Sequence, residues 1–136
     1  ALIVISDGVD NSIYGQLTPS RLSFSRLERA AQEMNALIYP ILLDATPGER
    51  KQPGWARRAG ERMERLAAVT GGRLFPAASL EDLKPVYEEV AAELRSVYGI
   101  AYYPKNQDFN GAWREVMVRA RRPGARVRFR DGYYAR

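Results

Sequence analysis

Three continuous apolar runs punctuate the first half of the chain and set its expected architecture. The first, LIVIS from Leu2 to Ser6, is β-branched, unbroken and stopped by Asp7-Gly8. Such a run belongs to a strand buried on both faces, because a strand with one wet face alternates apolar and polar residues. ALIYPILLD, from Ala36 to Asp44, and RLFPA, from Arg73 to Ala77, have the same texture. Pro40 has no N–H to give to a ladder, which places the second strand near an edge or at a bulge.

Between these runs the spacing becomes helical. Ser25 and Glu28 fit a capping box, and Leu27, Ala30, Ala31 and Met34 recur on one face, with Asn35 as a stop. Ala59, Met63, Leu66 and Ala67 mark a second helix, ended by the left-handed residue that Gly71-Gly72 supplies. Ser79 with Asp82 caps a third, whose stripe is Leu83, Val86, Val90, Leu94 and Val97. Pro85 suits a first helical position, so regular helix is expected from there. The stretches from Val9 to Leu22 and from Thr46 to Trp55, rich in turn formers, read as loops. The first is longer than ordinary connections and so a place for function.

After Gly99 the texture becomes that of strands: IAYYP, WREVMVRAR and ARVRFRDGYYA. Val116, Val118 and Ala120 alternate with Met117, Arg119 and Arg121, and Val127 and Phe129 with Arg126, Arg128 and Arg130. Pro123-Gly124 fits the centre of a type II turn, so an antiparallel hairpin with one apolar and one basic face is expected. Tyr87, Tyr98, Tyr102 and Tyr103 are expected to pack in the core and sheet with their hydroxyls reaching water. The whole reads as an α/β fold: a parallel sheet with helices on both faces over residues 1–99, then a basic antiparallel β-extension over 100–136. Three strands make a small sheet. The chain enters LIVIS directly after Ala1, as a cut edge would, and the exposed apolar strand is expected to drive homo-oligomerisation.

With 136 residues, 46% of them hydrophobic and 27% charged, the composition is that of one globular domain. No apolar run approaches the ~20 residues of a membrane helix. The chain has no Cys and no His, which excludes Ser-His-Asp and Cys-His catalysis and ordinary zinc sites; any metal should be hard and oxygen-ligated. Charge is uneven: residues 113–136 carry +6 and residues 1–112 carry −1. The basic hairpin, with Trp113, Tyr133 and Tyr134 nearby, could bind phosphates or stack on bases; protection of exposed strands against aggregation is the simpler use of its arginines.

LIVISDG resembles the fourth strand of von Willebrand factor type A (vWA) domains, where the Asp of a Thr/Ser-Asp-Gly signature contributes to a metal-ion-dependent adhesion site. ALIYPILLD resembles the fifth strand, LAAVTGGRLF a helix and the sixth strand, and LEDLKPVYEEVAAEL the last helix. ELRSVYGIAYYP and GAWREVMVRARRPGARVRFRDGYYA resemble the C-terminal portion of a vWA-related group in acidobacterial secreted proteins. The resemblance covers nearly the whole chain but only the second half of that fold.

It implies a partial Rossmann-like (vWA-type) sheet, an extracytoplasmic setting and a protein-interaction module that binds a partner carboxylate through Mg²⁺ in the intact parent. Asp7 is then a metal ligand, with Asp10 a second candidate and Asn11 and Ser12 further oxygens; Asp44 ends the next strand in a similar position. The family's Asp-x-Ser-x-Ser motif and Thr loop are missing. The nearest string, Asp10 to Tyr14, ends in Tyr and follows the wrong strand, so the site is incomplete and Mg²⁺ is expected to bind weakly. Two alternatives are a metal-dependent phosphatase, whose sites usually need the His this chain lacks, and nucleic-acid or polyanion binding through the basic hairpin.

Overall fold

The computed structural model describes residues 1–8, 22–43 and 55–136, with the backbone alone of residues 55 and 56. β1 (Leu2–Ser6), α1 (Phe24–Glu33), β2 (Ile38–Leu43), α2 (Trp55–Thr70), β3 (Phe75–Ala77) and α3 (Leu83–Leu94) alternate along the chain. The three strands are parallel and lie in the order β1-β2-β3. Leu2 to Ser6 run opposite Ile38 to Leu42, and Ile41 to Leu43 opposite Phe75 to Ala77.

Successive residues of a strand point to opposite faces, and β2 is covered on both. Tyr39 and Ile41 meet Phe75, Ala77 and the α3 residues Val86 and Val90. Ile38 meets Ala31 of α1 and Val69 of α2, with Leu66 packed against them. This is why the run 38–43 shows no alternation. Burial of a residue such as Ile41, 0% exposed, contributes about 2 kcal/mol or more.

Pro40 lies in the central strand, buried, and not at an edge or bulge. The N–H of Leu2 donates to the carbonyl of Leu37, so in a parallel ladder the odd residues of β2 turn their backbone groups to β1 and the even ones to β3. The nitrogen of Pro40 therefore points to the β3 side, at a level where pairing with β3 has not begun. Two residues earlier the N–H of Ile38 has the same problem, and the buried Thr70 hydroxyl accepts from it at 3.0 Å while donating to the Ala67 carbonyl at 2.9 Å. α2 ends as expected, Gly71 taking φ 85. A Cβ on the next residue, Gly72, would run into the Ile38 carbonyl.

Two helix starts differ from expectation. α1 is capped by Ser23, whose side chain accepts from the N–H of Arg26, while Glu28 pairs with Arg65 at 2.6 Å instead of closing a capping box. α3 begins before Pro85, which sits in the first turn where its missing N–H is harmless. The Asp82 carboxylate turns back to accept from the N–H groups of Ala78 and Ser79, each at 2.9 Å.

In the extension, β4 (Trp113–Glu115) and β5 (Gly132–Tyr134) are antiparallel, Trp113 opposite Tyr134 and Glu115 opposite Gly132. The turn forms where expected: Gly124 has φ 75 and the N–H of Ala125 donates to the Arg122 carbonyl. Between base and turn, however, the expected long ladder is absent. Residues 100–104 form no strand either, and the tyrosines meant for the core lie outside it, Tyr98 85% and Tyr103 95% exposed. Side chains hold that segment in place: Arg114 donates to the carbonyls of Asn106 and Asp108, and the hydroxyls of Tyr102 and Tyr133 are hydrogen-bonded. Among the described residues no helix is long and apolar enough to cross a membrane.

Gly72→Ala should destabilise the protein by about 2 kcal/mol or more, because backbone must move to admit the methyl group. Gly99→Ala, with open space around its Cβ position, should stay within about 0.5 kcal/mol of the parent. Urea unfolding of the two variants checks the contrast.

Candidate functional site

The carboxyl end of β1 is built by three residues. The Ser6 hydroxyl accepts from the N–H of Gly8 at 3.0 Å, and Gly8 takes φ 72. A Cβ on Gly8 would stand 2.6 Å from the Ala59 Cβ and 3.3 Å from Leu42 and Met63. Both the left-handed backbone and the close approach of α2 thus require glycine. The wedge fixes the direction in which the chain leaves the strand, and Asp7, between its two neighbours, is exposed at the end of the sheet. That end is where open α/β sheets take ligands.

Of the candidate metal ligands, Asp7 is the one the structure places. Asp10, Asn11, Ser12 and Asp44 lie outside the described residues. Among the described residues no group of three or more His, Cys, Asp or Glu could hold a metal ion. An exposed carboxylate on a fixed turn can supply one oxygen to a hard cation whose other positions are filled by water or by further oxygens.

The opposite, amino-terminal end of the sheet is closed by the basic extension. Arg128 pairs with Glu93 of α3, which also accepts from Arg73 at 2.7 Å. Arg73 reaches Glu89 at 3.1 Å, and its guanidinium lies 4.1 Å from the centre of the Phe75 ring. Arg130 donates to the carbonyls of Gln32 and Met34 at the end of α1, where a cation suits the helix dipole. Arg136 pairs with Glu33 at 2.7 Å, and Arg29 stacks 4.9 Å from the centre of the Tyr134 ring.

Arg128 and Arg130 are therefore clasps, and the expectation of one solvent-facing basic surface is corrected for Arg130, which is half-buried; Arg128 stays exposed, as do Arg119, Arg121, Arg122 and Arg126. Alternation with Val and Phe gave no sign of this, since the acceptors are a glutamate 35 residues away in sequence and two backbone carbonyls. A cleft of about 330 Å³ between the extension and the helices is lined by Gln32, Arg65, Trp113, Glu115, Phe129 and Asp131 among others.

Tyr39 joins the clasp from within the core. Burial pushes its phenol above the ordinary value, and the Glu93 carboxylate beside it, hydrogen-bonded to the hydroxyl, adds to the effect.

The fold defines a mixed α/β protein with a three-stranded parallel sheet flanked by helices and a two-stranded antiparallel sheet. No family model, curated protein or solved structure matches the chain.

A phenol whose folded-state pKa is raised leaves stability unaffected below the unfolded value of 10.0 and costs stability as pH climbs from there through the folded value. Tyr39→Phe should therefore flatten the alkaline loss of stability between about pH 9 and pH 11, while costing about 1 kcal/mol at neutral pH through the lost hydrogen bond. Urea unfolding across that range checks both parts; an unchanged alkaline slope would exclude Tyr39 as its source.

Proposed function

We propose that residues 1–99 are the second half of a vWA-type domain and that the chain is a protein-interaction module, not an enzyme. In the intact parent, Mg²⁺ held by Asp7, with Asp10 as a second oxygen donor, receives a carboxylate of the protein partner. The observation that carries this reading is the placement of Asp7: exposed at the carboxyl end of a parallel strand, on a turn locked by Gly8 against α2. The absence of His and Cys from the chain favours oxygen ligands and binding over catalysis. The extracytoplasmic setting rests on the family resemblance alone.

The β1 edge supports the same reading. In a complete vWA sheet the strand matching Leu2–Ser6 is flanked by the domain's first strand. Among the described residues β1 pairs with β2 alone, and Leu2, Ile3, Val4 and Ile5 are each between 36% and 42% exposed. A flat apolar edge of this kind pairs readily with another strand, and two copies related by a two-fold axis satisfy both edges. We assign self-association to this edge.

Two measurements test these assignments. Calorimetric titration of Mg²⁺ into the chain should give an affinity no tighter than about 1 mM, near −4 kcal/mol, and Asp7→Asn should abolish even that. A stoichiometric micromolar site, about −8 kcal/mol, would contradict the incomplete-site reading. In light scattering the parent chain should be dimeric or larger and Val4→Lys shifted towards monomer; a parent that stays monomeric at high concentration would remove the edge as an interface.

A further inference from the structure

The hairpin of the extension is closed at both ends and open in the middle, in one register. Ala135 donates to the Ala112 carbonyl, Arg114 stands opposite Tyr133, and Val116 donates to the Asp131 carbonyl. Counting on from these pairs at two-residue steps leads to Val118 with Phe129, Ala120 with Val127, and then Arg122 with Ala125, which is the turn bond observed. Only the two middle hydrogen-bonded rungs are missing, although the turn already holds the two arms in register for them. Among the described residues no backbone hydrogen bond joins 117–121 to 126–130.

The register also shows what closure would bring together. In the closed ladder Arg119 would face Arg128 and Arg121 would face Arg126, both at non-hydrogen-bonded positions, where opposed residues approach most closely, about 4.5 Å between Cα atoms. Like charges directly opposite are destabilising. Arg128 has Glu93 as a counter-ion. Arg119, Arg121, Arg122 and Arg126 have no ion pair among the described residues. The closed form would otherwise gain, since Val118 would meet Phe129 and Ala120 would meet Val127 on the other face.

We propose that this hairpin is a binding site for a compact multivalent phosphate anion, held by Arg119, Arg121 and Arg126, and that binding zips the two open rungs. A phosphate group placed between guanidiniums accepts paired N–H donors from each and cancels the repulsion that keeps the arms separate. The face is two ladder positions long, about 7 Å, which matches a di- or triphosphate group and not an extended polymer.

Amide hydrogen exchange of the full chain, titrated with inorganic pyrophosphate at constant ionic strength, reads the rungs directly. Protection at Val118, Ala120, Val127 and Phe129 should rise about tenfold or more as their hydrogen bonds form, with core amides such as those of Val69 and Val90 unchanged as a check on folding. The variant Arg121→Thr/Arg126→Thr should show protected rungs without any anion and no response to pyrophosphate. Rungs that stay unprotected in this variant would show that charge is not what opens the hairpin. Equal protection from sodium chloride at matched ionic strength would reduce the effect to screening, and a response to long single-stranded DNA but not to pyrophosphate would replace the oligophosphate with nucleic acid; each result overturns the proposal.

Discussion

Everything else in the parallel unit hangs on the burial of β2 between two layers of helix. Its odd residues enter the α3 side and its even residues the α1 and α2 side, so Ile38 to Ile41 are closed to water and Leu42 and Leu43 are partly buried. Such burial is compatible only with a backbone whose hydrogen bonds are accounted for one by one. The Thr70 hydroxyl takes the N–H of Ile38, and the next even position on the β3 side is a proline with nothing to donate. The same constraint fixes α2, because Thr70 and Gly72 must pass close to the start of β2. Through α2 it also fixes Gly8, and with Gly8 the direction of Asp7.

The two ends of the sheet consequently differ in character. At the carboxyl end a tight glycine turn presents an exposed carboxylate, the kind of feature that a ligand completes. At the amino end the extension is stitched to α1 and α3 by Arg128, Arg130 and Arg136. The exposed ion pairs there contribute little individually. Arg130, which meets helix-end carbonyls, and Glu93, which collects two arginines and a buried phenol, make the attachment specific.

Much of this was legible in the chain. Unbroken apolar runs announced parallel strands, Gly71 announced the end of α2, and Pro123-Gly124 announced the turn, because each depends on local chemistry alone. What was not legible depended on partners distant in sequence. Pro40 read as an edge residue because its tolerance comes from where β3 begins. Glu28 read as a capping residue because Arg65 was not visible beside it. Alternation in the hairpin promised a continuous ladder, and only the register shows that the same alternation sets arginine against arginine. At the candidate site, Asp7 was legible from the strand-end Asp-Gly. The packing of Gly8 against Ala59 was not, since nothing in the local sequence says which helix crosses there.

The proposed divalent-cation position lies at the carboxyl end of β1. Crystals of the protein grown in Mn²⁺ would test it most directly, through the anomalous scattering of the metal. A peak is expected at coordination distance from the Asp7 carboxylate, weak in occupancy and completed by water or further oxygens. Manganese bound elsewhere, with the Asp7 carboxylate free of metal at saturating concentration, would contradict it.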